Sequence, residues 1–138
     1  MAKQQTFVDT NLFIRYLTDD DHEKADRVGS LLQKAARGEM VLVTAELVLA
    51  EVVWVLESAY GLGCADIAPL IRGILGTPGL RVVNGDLVAR ALDHYESLKV
   101  DFTDGYIAAL MEAQGITEIF SFDQRHMKRF AGLARKEP

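Results

Sequence analysis

The chain has one cysteine, Cys64, in 138 residues, so it can close no internal disulfide and cannot build a thiolate zinc site. Its three histidines, His22, His94 and His126, form no H-x-x-x-H pair and read as residues of polar helix faces. No serine sits in a G-x-S-x-G elbow, so acyl-transfer chemistry has little support. Long apolar runs are missing too. The longest, Leu47 to Leu56, is interrupted by Glu51 and falls far short of a bilayer span. With no basic and apolar leader at the N-terminus, the expectation is a soluble, cytoplasmic protein. No composition shift or low-complexity stretch divides the chain, so residues 1–138 are expected to form a single domain. Positive charge is also short, with 15 Lys and Arg against 20 Asp and Glu for a net −5, a balance that does not favour a phosphate backbone.

Against these absences stand four acids at the edges of the most hydrophobic segments: Asp9 in TFVDTN, Glu51 in LVLAEVVWVL, Asp104 in DFTDGYIAAL and Asp123 in IFSFDQRH. A carboxylate in apolar surroundings is costly unless something pairs with it, and no lysine or arginine neighbours match these four. A bound cation meets that need and would reverse the local field, so the overall acidity is a weak argument against an anionic substrate. Basic residues concentrate only between Arg125 and Lys136. There Arg125, His126, Lys128 and Arg129 read either as a solvated helix face or as an edge that touches phosphates.

Periodicity supplies a coarse map. Short β-rich runs lie at Thr6–Val8, Val41–Val43, Leu80–Val83 and Glu118–Ser121, with a weaker one near Leu133. Helical patterns separate them, over Asp20–Arg37, Ala45–Tyr60, Ala65–Leu75, Asp86–Leu98 and from Phe102 to Gly115. Such alternation predicts a parallel sheet covered on both faces. The acids Asp19, Asp20 and Asp21 read as N-terminal capping, Thr44 as the cap of the third helix, Trp54 as core, and Gly61 with Gly63 as a helix stop.

On this map the acids fall at strand ends, where open parallel sheets bind ligands. Asp9 ends the first strand, Asp104 opens the last long helix, and Asp123 follows the fourth strand. Each could instead cap the helix after it. Capping does not account for Glu51, the one charge on a helix apolar nearly all round and therefore expected to be buried. For it a metal, a distant arginine and a raised pKa are the three readings.

The ordered blocks FVDTNLFIRYL, TAELVLAEVVWVL, DFTDGYIAAL and IFSFDQRHMKRFAGL resemble the PIN-domain ribonucleases, and most of all the VapC-type toxins of toxin–antitoxin modules. The resemblance runs from the first strand to the last. By it, the family's acidic ligands match Asp9, Glu51, Asp104 and Asp123, its small polar positions match Asn11 and Ser121, and Asp101 matches an acid found in part of the family. Gly105 departs from the alanine common after the third acid; a helix-interior glycine costs about 1 kcal/mol, and less near an end. The fold implied is an α/β three-layer αβα sandwich with a five-stranded parallel sheet of order 3-2-1-4-5.

Hard oxygen donors select Mg²⁺ or Mn²⁺ over zinc. The expected activity is endonucleolytic hydrolysis of single-stranded RNA by metal-activated water, leaving by resemblance a 5′-phosphate and a 3′-hydroxyl. Asp9 and Asp104 are the foremost direct ligands, Asp123 the next, and Glu51 acts through water or as a proton acceptor. A receiver-like signalling domain is a second reading, opposed by the absence of a lysine at a late strand end. A catalytically silent PIN-like module that binds RNA or protein is a third, opposed by the presence of all four acids. The apolar helices Ala45–Tyr60 and Ala65–Leu75, with Leu62, Ile67, Leu70, Ile71 and Ile74, suggest an exposed patch that marks a partner site, and the resemblance implies a homodimer that brings these helices together. The resemblance adds a cognate antitoxin as partner.

Overall fold

The computed structural model describes residues 4–138, in two compact units, one running to Gly85 and one spanning Asp86–Pro138. The first contains β1 (Gln5–Phe7), α1 (Thr10–Thr18), α2 (His22–Ala36), β2 (Val41–Ala45), α3 (Glu46–Ser58), α4 (Cys64–Leu75) and β3 (Leu80–Val83). Its sheet is parallel, in the order β1-β2-β3, with Thr6 opposite Leu42 and Val43 opposite Arg81. Parallel neighbours require crossovers, and the helical segments between the strands provide them.

Central strand β2 is buried from Leu42 to Thr44. Thr44 does not cap α3, as its position had suggested: its hydroxyl donates to the Val8 carbonyl at 3.0 Å, and Ala45 precedes the helix with no side-chain cap. A fully buried hydroxyl needs an acceptor, and the neighbouring strand supplies one. The acidic cluster before α2 does cap, since Asp21 accepts from the Lys24 N–H at 3.1 Å. Its neighbour Asp20 accepts from the Tyr60 hydroxyl at 2.7 Å, tying the end of α3 to the α1–α2 turn. That bond, with another from Thr18, holds the Asp20 carboxyl below the usual carboxylate range.

Two expectations for the apolar helices are corrected. On α3, Val48, Leu49, Val52, Val53 and Leu56 are buried, while Leu47 and Trp54 are 78% and 65% exposed. Glu51 lies on that same exposed line and is itself exposed, so it is not a buried charge and Trp54 is not core. An apolar composition all round had concealed which face turns inward. On α4, Ile67 and Ile71 are fully buried and Ile74 nearly so, where α4 packs against α3 and β3. Three of the five residues of the expected patch are therefore core, Leu62 and Leu70 are half-buried, and of these two helices it is α3 that exposes large apolar side chains, at Leu47 and Trp54.

The second unit contains α5 (Gly85–Leu98), α6 (Phe102–Gln114), β4 (Glu118–Phe120), a 3₁₀ turn (Met127–Arg129) and β5 (Ala134–Lys136). Strands β4 and β5 pair in parallel, Ile119 opposite Arg135. Leu87, Ala91, Leu92 and Tyr95 of α5 are buried, as their spacing predicted. Val100, Ala108, Met127 and Phe130 form a core cluster, with Leu98, Ile119 and Leu133 against it. Gly105 is buried where α6 approaches α5, and a Cβ there would lie 2.9 Å from the Ala91 carbonyl oxygen.

The α/β class stands, but the strands form a three-stranded and a two-stranded sheet in place of one continuous sheet of order 3-2-1-4-5. Alternating apolar runs mark where strands are; they do not say which edges pair. With only three residues each, β1 and β4 add little ladder energy to force a particular neighbour. Among the described residues no helix is long and apolar enough to cross a membrane.

Candidate metal centre

The second unit gathers four of the residues singled out by sequence. Helix α5 ends at Leu98, Lys99 turns the chain with a left-handed φ of 56°, and buried Val100 anchors the turn in the core. Asp101 then precedes α6 in an extended conformation, and its side chain caps nothing. Asp104 lies three residues on, within the first turn, so it does not cap α6 either. An i, i+3 pair at a helix start shares one side, and Asp101 and Asp104 do so here.

On the other side, the segment after β4 folds into a hydrogen-bonded turn. The Asp123 N–H donates to Ser121 Oγ at 3.0 Å. Asp123 Oδ1 accepts from the N–H groups of Arg125 and His126, each at 2.9 Å. This is the capping role foreseen for Asp123, although it opens a tight turn and only a short 3₁₀ helix follows. Its consequence is to bring His126 back over the carboxylates. Nδ1 of His126 lies 3.3 Å from Asp123 Oδ2, 3.4 Å from Asp104 Oδ2 and 4.0 Å from Asp101 Oδ2.

Three carboxylates around one imidazole divide in electrostatic character. Burial, then repulsion from Asp123 and Asp101, pushes the Asp104 carboxyl above the usual carboxylate range, with His126 opposing. The Asp123 carboxyl is held below it, first by the His126 N–H, against some desolvation, and then by the Arg125 N–H and the imidazole. A carboxyl raised by burial and like charge beside a hydrogen-bonded carboxylate favours a cation between them. Asp101, Asp104 and His126 each offer one donor atom within 4.8 Å of the others. Such a set can coordinate a divalent metal ion.

His126 is thus a member of the cluster, whereas the sequence placed it on a polar helix face with the basic residues. The signal that could have found it is its spacing: three residues after Asp123, one tight turn brings it back. Arg129 also differs from expectation, because its Nη1 donates to the carbonyls of Leu98 at 2.8 Å and Lys99 at 2.7 Å. Arg125 and Lys128 are exposed.

In the first unit, Asp9 caps α1 and accepts from the Thr10 N–H at 2.7 Å, which is the capping role weighed for it. Asn11, in the first turn of α1, is exposed, and Glu51 lies on the exposed line of α3 already described.

The chain is thus an α/β protein with acids at the starts of helices and after strands and with a carboxylate–imidazole cluster that can coordinate a divalent metal ion. Its sequence matches the PIN domain over residues 6–133, and the chain belongs to the PIN-domain family. No curated protein is similar enough to count as a relative. Among solved structures the chain is similar to VapC20 of Mycobacterium tuberculosis, described as a sarcin-ricin loop cleaving toxin. The two share 22% identity over 98% of this chain and 100% of that one, at a TM-score of 0.41.

Proposed function

We propose that this protein is a Mg²⁺- or Mn²⁺-dependent endoribonuclease that hydrolyses single-stranded RNA and acts as the toxin of a toxin–antitoxin pair. The observation that carries the reading is the convergence of Asp101, Asp104, Asp123 and His126 in a chain of the PIN-domain family. Carboxylate oxygens suit both ions, and the imidazole nitrogen makes Mn²⁺ the better match. When bound, a divalent ion supplies a nucleophilic water at neutral pH and offsets charge on the scissile phosphate.

The side chains divide the work. Asp104 and Asp123 hold the ion, with His126 and Asp101 completing its surroundings. The two N–H bonds to Asp123 keep that carboxylate ionised and oriented. Asp9 and Glu51 are assigned to the reaction by their match to the family's acidic positions, Asp9 as a ligand and Glu51 as a proton acceptor. Asn11 and Ser121 support Asp9 and Asp123 respectively, and Ser121 accepts the Asp123 N–H. Exposed Arg125 and Lys128 are the remaining candidates for RNA phosphates or for acidic groups of an antitoxin. A homodimer, a cytoplasmic location and a single three-layer domain complete the reading.

The test is cleavage of labelled single-stranded RNA by purified protein with Mg²⁺ or Mn²⁺, with and without EDTA. Cleavage dependent on the ion, ending in 5′-phosphate and 3′-hydroxyl, supports the proposal; cleavage that persists in EDTA sinks it. A neighbouring gene for a small DNA-binding protein would separate a toxin from an RNA-processing nuclease.

A further inference from the structure

The carboxylates and the imidazole sit on two separate stretches of chain. Asp101 and Asp104 follow the α5–α6 turn, while Asp123 and His126 lie on the segment between β4 and β5. Their spacing depends on how firmly one stretch is registered against the other. Apolar contact contributes, since Met127 and Phe130 pack in one cluster with Val100 and Ala108. That contact is non-directional and tolerates small sliding.

The directional tie is Arg129. Its Nη1 donates to two successive carbonyls, Leu98 at 2.8 Å and Lys99 at 2.7 Å. These are the last residue of α5 and the left-handed residue after it, and the end of a helix has carbonyls without intrahelical partners. Charge-assisted bonds to two fixed acceptors define an orientation as well as a distance. Arg129 lies three residues beyond His126, and Leu98 lies three before Asp101. The clamp therefore joins the two stretches close to all the candidate ligands.

We infer that Arg129 is a positioning residue for the metal centre, holding the Asp123–His126 turn in register with the Asp101–Asp104 helix start. The inference rests on the reading of that cluster as the metal site. It also replaces a role in RNA contact for this arginine, because its guanidinium is engaged within the chain.

Mn²⁺ affinity measured by calorimetry on the full chain tests it, with wild type, Arg129→Gln, Arg129→Lys and Leu133→Ala compared well below their melting temperatures. Outer residues that orient metal ligands commonly govern affinity by about 10–100-fold. The expected result is a loss of at least about tenfold in Arg129→Gln, substantial recovery in Arg129→Lys, and wild-type affinity in Leu133→Ala, which loosens the same core cluster outside the Asp101–Asp104 and Asp123–His126 stretches and keeps the clamp. In RNA cleavage at saturating Mn²⁺, Arg129→Gln should lower kcat with KM unchanged.

Unchanged Mn²⁺ affinity in Arg129→Gln overturns the inference, as does an equal loss in Leu133→Ala. A higher KM with unchanged kcat overturns it in favour of a phosphate contact. Wild type that binds Mn²⁺ without cleaving RNA refutes the nuclease reading alone, since the affinities still decide the role of Arg129. Wild type that binds no Mn²⁺ refutes both.

Discussion

Replacing Gly105 by alanine tests how closely α6 must approach α5 to set the cluster. The new Cβ would stand 2.9 Å from the Ala91 carbonyl oxygen and 3.3 Å from His94 Cβ. Ordinary contact begins near 3.4 Å, so the first overlap is about 0.5 Å. The obstacle is backbone in the middle of a helix and cannot rotate away, so the start of α6 must move outward. Overpacking of this kind costs about 1–3 kcal/mol. Alanine recovers up to about 1 kcal/mol of helix propensity, and less in a first turn. The net expectation is a loss of about 1 kcal/mol, or roughly 3–5 °C in melting temperature for a chain of this length. Because Gly105 adjoins Asp104, the same movement should widen the 3.4 Å approach of Asp104 to His126 and weaken Mn²⁺ binding several-fold. Thermal unfolding followed by circular dichroism, beside calorimetric Mn²⁺ titration, measures both effects. A variant as stable as wild type or more so, with unchanged affinity, would refute the close-approach argument.

Asp104→Asn should raise the melting temperature of the metal-free protein while abolishing cleavage. The folded-state pKa of Asp104 is raised, so its ionisation costs stability as pH climbs from the usual carboxylate value through the folded one. The advantage of the asparagine variant should therefore vanish in acid and be complete at neutral pH; an advantage independent of pH would refute the assignment. Asp123→Ala should destabilise, because that carboxyl is held low by N–H groups. The stability it contributes is present above the ordinary carboxylate value and lost as pH falls through the folded one. Melting curves from pH 3 to 7 check the sign of both. Gly79→Ala should strongly destabilise the first unit, since φ is +78° and a Cβ would lie 2.3 Å from the Ala35 carbonyl oxygen. A left-handed residue costs about 1–2 kcal/mol before any overlap is counted. Urea unfolding reads the loss, and a midpoint within error of wild type would contradict it.

Periodicity located four strands to within a residue or two and pointed near the fifth, at Leu133 beside Ala134–Lys136, because short β-branched and apolar runs leave their mark on local sequence. It also identified the buried face of α5 and the capping aspartate before α2, both of which depend on residues a turn apart. The acids Asp104 and Asp123 were legible as two of four conspicuous carboxylates beside strong apolar runs, but that these two of the four would meet at one imidazole was not. What needed the tertiary structure was every choice between equivalent local patterns. An all-apolar stretch cannot say which side of α3 faces inward, so Glu51 and Trp54 were read as buried and are exposed. Neither can strand composition choose between one sheet and two. His126 looked like one more basic surface residue until the turn stapled by Asp123 carried its ring to the carboxylates, and Arg129 looked free until two carbonyls thirty residues earlier came within reach. Local sequence determines which conformations a segment favours; which distant groups meet is decided by packing and by the partners that buried polar atoms must find.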